Sequence, residues 1–390
     1  MNRIEMLQQL KFLTAGESHG KGLSGILEGF PAGVPLSESL IATDLARRQM
    51  GHGRGGRMTI EKDHAEILSG LRHGYTLGSP IALWIQNRDW ENWKQDRMSH
   101  EAPLNPVPEV TLPRPGHADL AGTQKFGFTD IRNVLERSSA RETAMRVALG
   151  AVCRSFLKEL GIEIFSHVIQ IGPIKSEVKP DRLDAEINAV ADASDVRCMD
   201  KNAAEAMIKH IDVTRKNGDS IGGVFEVLAA GLPPGLGSYT HWDRKLDARL
   251  AAAMMSINAM KSVSIGDGLN VAEATGSQVH DEIIKEDNHI RRATNHAGGI
   301  EGGMSNGELI QLQVTMKPIP TLAKPLRSVD IKTREPGMAH KERTDACAVP
   351  AASVIGEAMM ALVLTDAILE KFGGDSLEQV KRHIAATGVK

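Results

Sequence analysis

The chain has 390 residues, 41% of them hydrophobic and 24% charged, the balance of an ordinary globular protein in water. A formal net charge of -3 and an aromatic content of 4% argue against a general nucleic-acid binder: there is neither a basic surplus to meet phosphates nor material for a base-stacking platform. Three widely spaced cysteines (Cys153, Cys198, Cys347) speak for a reduced, cytoplasmic chain; no apolar signal core is read at the N-terminus, and no apolar run of membrane-spanning length.

In chain order, a helix is expected from near Ser37, with Arg47 and Arg48 at its C-terminus. Residues 81–85 read as a strand. Residues 88–114 form a long, polar, Pro-rich stretch; loops of that size are commonly functional, and this one is read as a lid. Ser139 and Glu142 have the spacing of a capping box. The helix they open has Ala144, Val147, Ala148, Ala151, Val152 and Phe156 on one face and Gly161 at its end. Residues 162–171 and 223–229 read as strands, and the charged stretch 175–209 between them as a peripheral excursion. A further helix spans about 243–259. Residues 310–316 alternate apolar and polar, the pattern of a strand buried on one face. Pro350 suits the first turn of a last helix, buried on much of its circumference and stopped by Gly373-Gly374. Strands and helices do not alternate as in a doubly wound sheet, so the expected class is α+β, with antiparallel sheets packed on a helical core. The length alone allows two or three domains, but no linker divides the chain.

Short His and Arg motifs, most flanked by Gly or Pro, recur along this framework. Gly16-Glu17-Ser18-His19-Gly20 puts a proton-transferring side chain on a sharp turn, open to a ligand. Gly51-His52-Gly53-Arg54-Gly55-Gly56-Arg57, preceded by Arg48, lets backbone N–H groups and guanidiniums gather round an anion. In Arg114-Pro115-Gly116-His117-Ala118-Asp119, glycine admits close backbone approach and Asp119 is placed to fix one tautomer of His117. Arg137-Ser138-Ser139 and Arg141 stand at the expected helix N-terminus, where anions are favoured. Lys317-Pro318-Ile319-Pro320-Thr321 is a rigid turn after a strand, and Arg343-Thr344-Asp345 precedes the last helix. Neither a P-loop nor a dinucleotide fingerprint is present. The histidines and cysteines lack zinc spacing, so no metal is expected.

The joint order of these motifs, and the intact run from Arg137 through Glu142 into Thr143-Ala144-Met145-Arg146-Val147-Ala148, resembles the chorismate synthase family from near the start to about Ser376. The resemblance implies a single catalytic domain over residues 1–390, a β-α-β layered sandwich and a homotetramer. It implies a lyase that converts 5-enolpyruvylshikimate 3-phosphate to chorismate and phosphate with reduced FMN. It makes His19 the acid for the leaving phosphate, with Ser18 as a relay, puts His117 against the flavin ring, and sets Asp345 near its N5. FMN contacts would come from Arg137, Ser138, Ser139, Asn258, Ala259, Gly302, Lys317, Pro318, Ile319, Pro320, Thr321 and Arg343. Arg48, Arg54, Arg57, Arg114 and Arg141 would serve the substrate or NADP. Whether the chain reduces its own flavin with NADPH stays open. Two other readings of the residues stand beside it: a flavin-independent phosphate lyase or sugar-phosphate isomerase, and a single-stranded RNA-binding protein using residues 51–57.

Overall fold

The computed structural model describes residues 7–55, 62–94, 97–103, 106–178, 186–286, 289–342 and 345–388. Among them, strands Lys11–Ala15 (β1), Gly22–Glu28 (β2), Ala65–Ser69 (β3) and Ile81–Gln86 (β4) form an antiparallel sheet in the order β1-β2-β4-β3. A second antiparallel sheet has strands Glu163–Ile171 (β5), Ile174–Lys175 (β6), Gly223–Ala230 (β7), Met260–Ile265 (β8) and Ile310–Met316 (β9) in the order β8-β9-β7-β5-β6. Alternation in β9 is complete: Ile310, Leu312, Val314 and Met316 are buried, and the residues between them are half-buried.

Helices fill the space between the sheets. Glu38–Gln49 (α1), Thr143–Glu159 (α4) and Val349–Phe372 (α8) form the middle layer; the labels α2 and α3 belong to short helices at the site, Asp119–Phe126 and Arg132–Ser138, and α5, α6 and α7 to Glu186–Asp192, Lys201–Lys216 and Leu246–Met255. Helix α4 packs on the first sheet and α8 on the second, so the layers run β, α, β as expected. The two helices touch at Gly150, where a Cβ would lie 2.4 Å from that of Ala358. Ser37 caps α1 through its hydroxyl, Pro350 sits in the first turn of α8, and Gly161 and Gly373 follow the ends of α4 and α8 with φ of +76° and +61°.

Three expectations change. Helix α8 is itself long and apolar enough to cross a membrane, contrary to the reading of the sequence, but its apolar stretch is buried within the protein, and only Glu370 and Lys371 near its end reach the surface. It carries Glu357 and Asp366, whose fully buried carboxylates are met by Arg47, Arg154 and Arg197 and by Arg249 with the backbone N–H groups of residues 8–10. The capping box at Ser139 does not form: the Ser139 hydroxyl accepts from Arg141 N, while the Glu142 carboxylate takes Thr14 and Arg146 instead. A 3₁₀ turn over Ala140–Glu142 therefore separates α3 from α4, and Arg137-Ser138 ends a helix rather than opening one. The charged stretch 175–209 runs into helix Lys201–Lys216, and Val196, Cys198 and Met207 bury their side chains in the main core.

Candidate functional site

The turn between β1 and β2 is closed by Gly16 at φ +112°, where a Cβ would lie 2.3 Å from the Gly22 carbonyl oxygen. Two side chains clamp it. Asn87, just past β4, donates through Nδ2 to the carbonyls of Glu17, Ser18 and Gly20 at 3.0, 3.3 and 2.9 Å. Glu136 of α3 accepts the His19 backbone N–H at 2.8 Å and lies 2.9 Å from His19 Nδ1. His19 is only 6% exposed, against the expectation of an open loop residue, because the Trp93 ring stacks on it at 3.9 Å. Trp93 follows the 3₁₀ turn Arg88–Asn92 and is tied back to Asp89 by its indole N–H. The first part of the expected lid thus lies on the first expected acid. Ser18 also faces inward, accepting a 3.1 Å hydrogen bond from the Ser139 hydroxyl.

The second histidine is held differently. Asp119, in the first turn of α2, lies 2.5 Å from His117 Nδ1 and takes both Nε (2.8 Å) and Nη2 (3.0 Å) of Arg114. Burial opposes its charge, but His117 and Arg114 outweigh burial and hold its pKa well below the usual carboxylate range. Arg114 also donates to Thr321 Oγ1 at 2.8 Å, and Lys317 Nζ donates to the Gly116 carbonyl at 2.5 Å. These two bonds lock the second histidine motif to the turn after β9. Burial, with the charge of Lys261 beside it, lowers the Lys317 pKa.

The arginines converge from three elements. Asp63, fully buried at its side chain, takes Arg141 and, at 3.5 Å, Arg48. Arg48 also donates to the Thr143 hydroxyl and the Ala140 carbonyl, both at 2.9 Å, and burial lowers its pKa to about 10. Arg54 pairs with Asp345 at 3.0 Å, and the Gly55 backbone N–H reaches the same carboxylate at 2.6 Å. The neighbour of Arg48, Arg47, turns to the other side of α1 and serves Glu357, which burial opposes but three guanidiniums hold near a pKa of about 2.

Together these groups line one cleft of about 550 Å³. It gathers Ser18, His19, Arg48, Arg54, Arg114, His117, Ser138, Ser139, Arg141 and Asp345 with Asn258, Ala259, Lys317, Ile319, Pro320 and Thr321. Met255, Ile257, Met316 and Ile355 give it an apolar wall. Three of the expected contact residues do not line the cleft. Arg137 turns away to donate to the Thr14 and Gly16 carbonyls at 2.7 and 3.1 Å; Gly302 sits in the hairpin between Ile300–Glu301 and Met304–Ser305; and Pro318 is not among the lining residues. Arg57 and Arg343 lie outside the described residues. Among the described residues no group of His, Cys, Asp and Glu is arranged to hold a metal.

Sequence reasoning passed over Asp63, Asn87, Trp93, Glu136 and Glu342. Each lies outside a glycine-flanked motif or, like Glu136, at the edge of one, and each acts through a partner distant in sequence. For Glu136 the signal was present: it directly precedes the Arg137 motif and has the i,i+4 spacing to Arg132 that the ion pair at 3.3 Å uses.

The family model described as Chorismate synthase matches residues 10–369. A chorismate synthase of Aquifex aeolicus is 56% identical over 385 residues, 96% of each chain. That of Acidothermus cellulolyticus is 51% identical over 384 residues, 97% of this chain and 98% of the relative. A solved structure described as a crystal structure of chorismate synthase matches with a TM-score of 0.78 and 45% identity, covering 98% of both chains.

Proposed function

The chain belongs to the chorismate synthase family, and from that premise we propose how its cleft carries out the family's reaction. That reaction is the anti-1,4-elimination of phosphate from 5-enolpyruvylshikimate 3-phosphate, giving chorismate in the shikimate pathway to the aromatic amino acids. The C–O bond to phosphate breaks, a proton leaves the ring carbon at the other end of the diene being formed and is balanced by the one the released phosphate takes up, and there is no net redox change. The single observation that carries the assignment to this cleft is its content: two histidines, each held by a carboxylate, share it with four arginines drawn from separate elements.

The substrate brings one phosphate and two carboxylates, and FMN a further phosphate. Arg48, Arg54, Arg114, Arg141 and Lys317 match that load, although each arginine already has a protein carboxylate beside it. Those carboxylates keep the cleft from a large uncompensated positive charge and fix the guanidinium planes. The donor set and the apolar wall fit a flavin: Ser138, Ser139, Asn258, Lys317 and Thr321 would hold it, and about 550 Å³ is in the range of pockets enclosing such ligands. Reduced FMN, when bound, supplies the electron-rich ring that eases loss of phosphate. His19 gives the Nε2 proton to the departing phosphate. His117, with Nδ1 on Asp119 and Arg114 Nη2 3.4 Å from Nε2, is held at the edge of the cleft where it would face the flavin. Trp93 and the apolar wall exclude water.

NADPH is the proposed reductant where no external one is supplied. Self-association as a homotetramer finds support in the first sheet, whose outer face pairs Leu13, 75% exposed, with Ile26 across β1 and β2. Three unpaired, buried cysteines suit a cytoplasmic setting. Anaerobic titration tests the flavin placement. Reduced FMN binds the wild-type chain, and Lys317→Ala combined with Ser139→Ala weakens binding by about tenfold or more. Undiminished affinity in that double variant would move the flavin elsewhere.

A further inference from the structure

We infer that Glu136 is the positioning residue for His19: it fixes the imidazole as the Nδ1–H tautomer and directs Nε2 to the leaving phosphate. This rests on the reading of His19 as the acid. The geometry is specific. One carboxylate holds His19 twice, through the backbone N–H at 2.8 Å and through Nδ1 at 2.9 Å. The same residue's backbone carbonyl accepts the Ser18 N–H at 2.9 Å. The ring therefore has little freedom to swing, and Trp93 closes one face of it at 3.9 Å.

The charge state follows from the surroundings. Burial works against the Glu136 carboxylate, yet the bonds from His19 and the charge of Arg132 hold its pKa below the usual range. An ionised carboxylate only accepts hydrogen bonds, so Nδ1 of His19 is the donor. Nε2 is left as the nitrogen that gains and loses the proton. In the acid step the Nε2–H bond breaks and an O–H bond forms on phosphate, while Nδ1–H stays in place. A carboxylate behind an imidazole holds its tautomer and orientation, so that Nε2 and not Nδ1 meets the phosphate.

Arg132 sets the strength of that effect. It reaches Glu136 Oε1 at 3.3 Å but spends its shorter bond, 2.7 Å, on Glu342. Glu342 is in turn 2.9 Å from His340 Nε2, and its carboxyl, opposed by burial but held by His340 and Arg132, sits at about 2. The guanidinium is thus shared, and Glu136 retains negative charge toward His19.

The test is a double-mutant cycle on the full-length protein with reduced FMN under anaerobic conditions, reading kcat and KM from phosphate release. Thermal midpoints confirm that each variant is folded. His19→Ala lowers kcat about 10²- to 10⁴-fold. Glu136→Gln lowers it roughly 10- to 10²-fold with KM within about threefold, because the amide cannot accept from both His19 N–H groups. In the His19→Ala background Glu136→Gln changes kcat by less than about threefold, since its route of action has gone. An equal loss from Glu136→Gln in both backgrounds, or wild-type kcat in the single variant, overturns the inference. Wild-type kcat in His19→Ala overturns the underlying reading instead. Should Glu136→Gln not fold, Glu136→Asp enters the same cycle: it keeps the charge at a greater distance, and a kcat loss confined to the background containing His19 is again the expected result.

Discussion

Asp119 shows how much one side chain decides at the site. It collects His117 and three nitrogens of Arg114, the backbone N–H, Nε and Nη2, on two oxygens, and Arg114 carries the link on to Thr321. His117→Ala removes one of those donors and leaves the Arg114 pair, so the fold survives. The expected outcome is a thermal midpoint near that of the wild type, lower turnover, and a changed absorbance or affinity of bound reduced flavin. Collapse of the fold would make His117 a structural residue. The sequence offered Asp119 as a partner for His117 by its position two residues on, but the contact itself is made by the first turn of α2, which also brings the same carboxylate to Arg114. The pairing of His19 with Glu136 was not legible in the sequence, since 117 residues separate them and only the packing of α3 against the β1–β2 turn joins them.

Among the elements, helix α8 organises the rest. Glu357 accepts two 2.7 Å bonds from Arg47 on α1 and a 2.8 Å bond from Arg154 on α4, tying three helices at one buried point. Its pKa of about 2 in the folded state lies below the ordinary 4.5. A depressed carboxyl pKa gives stability that is complete above pH 4.5 and lost as pH falls through about 2. Urea midpoints followed across that window should fall steeply in the wild-type protein and more shallowly in Glu357→Gln, which starts from a lower stability. Equal slopes would remove Glu357 from the acid response. The crossing of α4 and α8 gives a second test: Gly150→Ala forces a methyl against Ala358 and should cost about 1–3 kcal/mol in urea unfolding. No change would show that the two helices can part freely.

The elements also mark the limit of sequence reading. Strand β9 and the ends of α4 and α8 follow from alternation, Gly161 and Pro350, which act locally. The break between α3 and α4 does not. Ser139 and Glu142 have the spacing for a capping box, but Thr14 and Arg146 compete for the Glu142 carboxylate, and tertiary bonds win. The expected helix over residues 243–259 is likewise cut to Leu246–Met255, because the chain must turn at Ala259, φ +69°, to place Asn258 in the cleft. The resemblance of the motifs located most of the cleft; their local helix chemistry did not show how it is built.

At the scale of the whole molecule, the cleft joins residues from Ser18 to Ile355, so anything bound there holds the layers together. Flavin and substrate together should stabilise the fold, by about 2.7 kcal/mol for a ligand at 100 times its dissociation constant. Hydrogen exchange should slow in residues 88–114, where Trp93 already rests on His19, and around Arg54. Protection confined to one motif would mean that the arginines serve separate sites. The most direct measurement of the central claim is anaerobic phosphate release from 5-enolpyruvylshikimate 3-phosphate with reduced FMN, oxidised FMN or no flavin. Turnover with reduced FMN alone is the predicted result, and equal turnover without flavin would contradict it in favour of a simple acid–base elimination.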